Sequence, residues 1–120
     1  MGYRSNVAIG LPERVWAEKI KKRTEENENI FGDFHDIIDE TIFTKIGEVD
    51  HVIMCMESVK WYEEYLDVQF FMNIYNTVEL GEGEFKAFIR TGEELEDNEI
   101  LDDPWEFEMY ISRTIETPTG

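Results

Sequence analysis

The stretch from His51 to Trp61, HVIMCMESVKW, restricts the fold more than any other part of the chain. Drawn out as a strand, it places Val52, Met54 and Met56 on one face and Ile53, Cys55, Val59 and Trp61 on the other. A strand that is apolar on both sides needs cover on both sides, so it belongs inside a sheet and not at its edge. The longer segment TIFTKIGEVDHVIMCMESVKWY then reads as strand, turn at Gly47, strand.

Other segments supply the neighbours and the cover. Tyr3 to Ile9 alternates, with Tyr3, Ser5, Val7 and Ile9 on one face, and Gly10 and Pro12 are expected to end the strand. Pro12 suits the first turn of a helix running from Glu13 to about Glu28, whose apolar stripe is Val15, Trp16 and Ile20. Ile30–Ile38 has helical spacing interrupted by Gly32. Phe70, Ile74 and Val78, joined by Phe71 and Tyr75, predict a second main helix capped by Asp67 and Gly81. Strand signals return at Glu84–Arg90. In the final segment Trp105, Phe107, Met109 and Ile111 alternate with Glu106, Glu108, Tyr110 and Ser112, which predicts a last strand.

The order β–α–(α)–β–β–α–β–β, with no repeat and no linker, predicts a single α+β domain over residues 1–120. The expected architecture is a largely antiparallel sheet of four or five strands with two main helices on one face. The ferredoxin-like split β–α–β arrangement is its nearest template.

Three short motifs recur in known company. GYRS near the start, VKWY at residues 59–62 and FIRTGEELED at residues 88–97 resemble small uncharacterised proteins of tailed bacteriophages. That resemblance implies a phage origin and this α+β layout. It carries no established activity, so it transfers no functional residue.

Charge bears most directly on function. The net charge is −17, from 28 acidic and 11 basic residues, well beyond the roughly 2–8 usual for a small domain. Residues 92–108, GEELEDNEILDDPWEFE, hold nine carboxylates and no basic residue. Solubility needs less than this. The excess argues for a positive partner and against direct binding to nucleic acid or an anionic membrane. Cys55 is alone, no signal-peptide pattern opens the chain and no apolar run approaches a membrane span, so a host-cell cytoplasmic location is expected.

Catalytic and metal patterns are weak by comparison. His35 sits beside Asp36 with Asp39 a turn away, and His51 lies within an apolar strand, but neither has the multiple-ligand spacing of a metal motif. Cys55 reads as a small core residue, and GEGE at 81–84 as a turn, not a phosphate loop. Started from Asp97, a calcium-loop pattern fails at Leu101 and Asp102. No cofactor, no metal and no enzymatic activity are therefore expected. The basic run Lys19, Lys21, Lys22 and Arg23 is surrounded by Glu18, Glu25, Glu26 and Glu28 and reads as a solvated helix face.

These features lead to one principal expectation. The chain is a phage-encoded, non-enzymatic inhibitor of the anti-CRISPR or anti-restriction type, occluding a basic nucleic-acid groove on a host defence protein by acidic mimicry. The residues assigned to that contact are Glu93, Glu94, Glu96, Asp97, Glu99, Asp102, Asp103, Trp105, Glu106 and Glu108. Leu95, Ile100, Leu101 and Trp105 interleave with the acids and could anchor them. The alternative is a phage accessory interaction domain, homodimeric in one form, whose acidity serves solubility. A third is a small enzyme using His35 or His51.

Overall fold

The computed structural model describes residues 4–21, 40–62, 64–94, 97–111 and 115–117. The expected helix over Ile30–Ile38, His35 and the end of the first helix lie outside these residues. Strand β1 is Ser5–Pro12, and α1 is Glu13–Val15 continued as π-helical turns over Trp16–Lys21. Then come β2 (Glu40–Ile46), β3 (Val49–Val59), α2 (Leu66–Thr77), β4 (Ala87–Thr91) and β5 (Asn98–Asp102). A 3-10 turn at Pro104–Phe107 leads to the short strands β6 (Tyr110–Ile111) and β7 (Ile115–Glu116).

Among the described residues the main sheet has five strands in the order β2-β3-β1-β4-β5, every neighbouring pair antiparallel. Both β1 and β2 run antiparallel to β3, so they are parallel to each other with β3 between them. The same holds for β3 and β4, which flank β1. Each crossover thus brackets one strand, the split β–α–β pattern expected of the sequence, with β5 added at the β4 edge. As predicted, HVIMCM lies inside the sheet and turns at Gly47, whose positive φ of 61° suits a residue without a side chain.

Each face has its own apolar layer. On the helix side Val7, Ile9, Leu11, Met54, Met56 and Phe88 pack against Val15 and against Phe70, Phe71, Ile74 and Tyr75 of α2. Side chains of this size contribute roughly 1.5–3 kcal/mol each when fully buried, so this layer dominates stability. On the opposite face Ala8, Ile42, Ile53, Ala87 and Ile89 are closed over by Phe107 and Met109.

Several local expectations need correction. Gly10 does not end β1: it lies within the strand, paired with both Ile53 and Ala87, and Pro12 is the last strand residue instead of the first helical one. Space explains the glycine, because a β-carbon there would stand 2.7–2.8 Å from the Phe107 ring. Val59 and Trp61 belong to the helix-side layer, not to the face of Ile53 and Cys55. A β-bulge opposite Asn6 causes the switch, since Ser5 pairs with Val59 and Val7 with Met56, and one extra residue reverses the side-chain parity. Ser58 takes φ 52° there, its N–H donating to Asn6 Oδ1 at 2.9 Å and its carbonyl accepting from Arg4 Nη1 at 2.7 Å.

Helix α2 begins at Leu66 with Tyr65 as its cap, so Asp67 falls inside the first turn; Val78, not Gly81, caps the other end. Finally, Trp105–Glu108 is not a strand. Pro104 fixes the first φ of a 3-10 turn, Glu108 closes it at φ 58°, and the strand resumes only at Tyr110.

Candidate protein-binding edge

Strand β5 and its two flanks hold the acidic stretch, and one arginine organises it. Arg90 on β4 stands opposite Glu99 in the register. Its Nη2 and Nη1 donate to the two Asp97 carboxylate oxygens at 2.8 and 3.2 Å, and its Nε to Glu99 at 3.3 Å. A further bond from Nη1 reaches the buried Ser5 Oγ at 3.1 Å. Hydrogen bonding to Asp97 raises the guanidinium pKa, against the opposing effect of burial. The hairpin turn is closed by Gly92 N–H on the Asp97 carbonyl at 2.7 Å and by Asp97 N–H on the Glu94 carbonyl at 3.0 Å. Two of the assigned acids, Asp97 and Glu99, therefore brace the hairpin. A paired carboxylate presents less field to an incoming partner than a free one.

At the other end of β5, Asp102 adopts φ 62°, rare outside glycine. Its carboxylate accepts a hydrogen bond from the Tyr75 hydroxyl, fastening β5 to α2. Burial, and next the bond to Asp102, pushes the Tyr75 pKa up, which keeps the phenol a donor. Lys86 Nζ lies 4.6 Å from the Tyr75 ring centroid and donates to the Tyr75 carbonyl at 2.9 Å. Asp103 is half-buried, and its N–H extends the ladder to the Lys86 carbonyl at 3.2 Å.

The remaining assigned residues that the structure describes are exposed in varying degree. Glu93 and Glu94 are exposed at the turn, Glu93 also accepting the Arg4 N–H at 3.3 Å. Glu106 is half-buried, Glu108 exposed, and Glu96 lies outside the described residues. Trp105 is 65% exposed and Ile100 54% exposed, whereas Leu101 packs beneath α2. The structure thus brings Glu93, Glu94, Asp102 and Ile100 to the surface along the β5 edge and its turn, and exposes Trp105 and Glu108 separately on the 3-10 turn, which packs against β4 and β2. Arg90 was missed as part of this site. Its only cue was a lone basic residue just ahead of an acid run, which says nothing of register.

The catalytic candidates are placed differently. His51 is fully buried between Phe85 and Phe107, with ring centroids 6.4 and 5.4 Å away. The Phe85 N–H donates to Nε2 at 3.1 Å, so Nδ1 carries the proton donated to the Val49 carbonyl at 2.9 Å. Both ring nitrogens are committed, and the ring has no opening to a substrate. Among the described residues no group of His, Cys, Asp and Glu is arranged to hold a metal ion, and no helix is long and apolar enough to cross a membrane.

One strong ion pair lies away from the acidic edge. Arg14 donates from Nε and Nη2 to both Glu84 oxygens at 2.6 Å, and from Nη2 to the Glu79 carbonyl at 2.8 Å. Glu84 also accepts the Gly81 N–H at 2.6 Å. These bonds, Arg14 foremost, lower the Glu84 pKa from 4.5 to about 2. The pair ties α1 to the turn at residues 81–84. A groove of about 650 Å³ runs between α1 and α2, lined by Arg14, Val15, Phe70, Ile74 and Thr77 among others.

Comparison with protein-family models, with curated proteins and with solved structures gave no match to this chain.

Proposed function

We propose that this protein is a non-enzymatic inhibitor that docks its acidic β5 edge against the basic nucleic-acid groove of a defence or nucleic-acid-handling protein, in the manner of an anti-CRISPR or anti-restriction factor. The observation that carries the reading is the exposure of Ile100 on a β5 edge flanked by Glu93, Glu94 and Asp102, with Trp105 and Glu108 exposed on the 3-10 turn that follows. Carboxylates alone give steering and little residence time. Apolar side chains set among them give the contact a desolvated centre. Arg90 and Tyr75 hold the edge in one geometry, which lowers the ordering cost of binding. The net charge of −17 supplies long-range attraction to a basic groove and repels nucleic acid itself.

The test is competition. A partner is captured from a bacterial lysate at low salt, and duplex DNA is titrated against the complex. The reading expects DNA and this protein to exclude each other. It also expects affinity to fall at least about tenfold between roughly 50 and 200 mM salt. Reversing Glu93, Glu94, Glu106 and Glu108 to lysine should abolish capture while leaving the circular dichroism spectrum unchanged. A ternary complex with DNA, or undiminished capture by the reversed variant, refutes the mimicry.

A further inference from the structure

The register of the β4–β5 hairpin determines which backbone groups of β5 face outward. Gly92 N–H bonds the Asp97 carbonyl at 2.7 Å, and Asp103 N–H bonds the Lys86 carbonyl at 3.2 Å. In an antiparallel ladder, bonded and non-bonded pairs alternate. The register Arg90↔Glu99, Ile89↔Ile100, Phe88↔Leu101 carries that alternation through the strand. Glu99 and Leu101 therefore turn their N–H and C=O toward β4, and Ile100 turns both of its groups away. β5 is the last strand in the sheet order, so these groups meet no further strand among the described residues.

Edge strands are ordinarily protected by charged side chains, by proline, by bulges or by a covering helix or loop, and β5 has Glu99 and Asp102 of this kind. Here the central edge residue is a 54% exposed isoleucine. Its side chain shares the face of Ile89, while Glu99 shares the opposite face with Arg90. The edge offers one face for an apolar neighbour and the other for a basic one, with Glu93 and Glu94 beyond one end and Asp102 at the other.

We propose that β5 binds its partner by strand addition: a short extended segment of alternating basic and apolar residues pairs with the outward N–H and C=O of Ile100. This deepens the reading above and rests on its basic partner. Charge complementarity selects that occupant over a second copy of this chain, because pairing β5 with itself would join two acidic edges on bodies of −17 each.

Two synthetic peptides separate backbone pairing from charge. One alternates lysine and valine; the other has the same side chains and charge but is N-methylated along its whole backbone, so it has no N–H to give. Strand addition expects the first to bind at least about tenfold more tightly, the scale of one or two net hydrogen bonds. It also expects the first peptide to slow amide exchange at Ile100 by a similar factor. Ile100→Pro removes the outward N–H without touching a β4 bond, and should lose that preference, whereas Ile100→Thr should keep it. Equal affinity for the two peptides, or unchanged exchange at Ile100, overturns strand addition and leaves charge-driven docking in place. Binding of neither peptide at low salt also overturns it. The DNA competition above reports separately on the parent reading, which fails if DNA and the protein bind one partner together.

Discussion

A β-carbon on Gly10 would collide with three ring carbons of Phe107, so the central strand and the C-terminal layer fit only because that atom is missing. Gly10→Ala should cost about 1–3 kcal/mol in urea melts, as overpacking does. Pairing it with Phe107→Leu should recover part of the loss, a non-additivity that two distant sites would not show. His51 supports the same layer by different means, joining Val49 and Phe85 through its two nitrogens. His51→Leu fills comparable space but strands both backbone groups, and should destabilise by about 1–3 kcal/mol. A catalytic histidine would lose activity without losing stability. Residue-scale reading of the sequence could not reach either role. A glycine in a strand and a glycine ending one look identical until the residue packed above it, nearly a hundred positions away, is known.

Between elements, two arginines act as ties, and they make opposite demands on the acids around them. Arg90 holds Asp97 and Glu99 at partly exposed positions, so Arg90→Gln should cost only about 1–2 kcal/mol, read from the thermal midpoint. The same change frees two carboxylates but loosens the hairpin, so association with a basic partner should speed up while the complex also dissociates faster. Arg14 ties α1 to Glu84, whose folded pKa of about 2 lies below its ordinary 4.5. A depressed carboxylate stabilises fully above its unfolded pKa, and that contribution fades as pH falls from about 4.5 toward 2. Across this range the other acids also lose charge and relieve self-repulsion, so the signal is a difference. The gap in thermal midpoint between wild type and Glu84→Gln should shrink as pH falls through that window. Much at this scale was legible in the sequence: β1, the β2–β3 hairpin, α2 and β4 follow from alternation and helical spacing over long stretches. Where the reading failed, two signals coincided. Trp105, Phe107 and Met109 keep a period of two, but Pro104 and the left-handed Glu108 wind them into a 3-10 turn. The bulge at Ser58 shifted parity after Met56 with no cue beyond a lone serine. Strand β5 itself was hidden because NEILD carries acids on both faces, which resembles a loop until an arginine opposite neutralises one of them.

The whole molecule works against its own field. With 28 acidic groups and 11 basic ones, each folded chain concentrates like charge that the unfolded chain disperses. Added salt screens exposed pairs beyond about 10 Å at roughly 0.1 M. Raising sodium chloride from low to physiological strength should therefore raise the thermal midpoint while weakening any complex with a basic partner. Opposite signs for folding and binding under one variable are a check that a merely soluble surface would not pass. The sheet order also has a kinetic consequence. β1 sits at the centre, yet Ser5 pairs with Val59 and Asn6 with Thr91, partners synthesised 54 and 85 residues later. On the ribosome, β1 must wait unpaired while β2 and β3 form a local hairpin, and it can close the sheet only after β4 has emerged. Contacts of such sequence separation make folding slower than in a helical bundle of the same size. Deleting residues 1–12 would thus remove the keystone of the sheet, leaving β2–β3 and β4–β5 as two hairpins with no strand to join them.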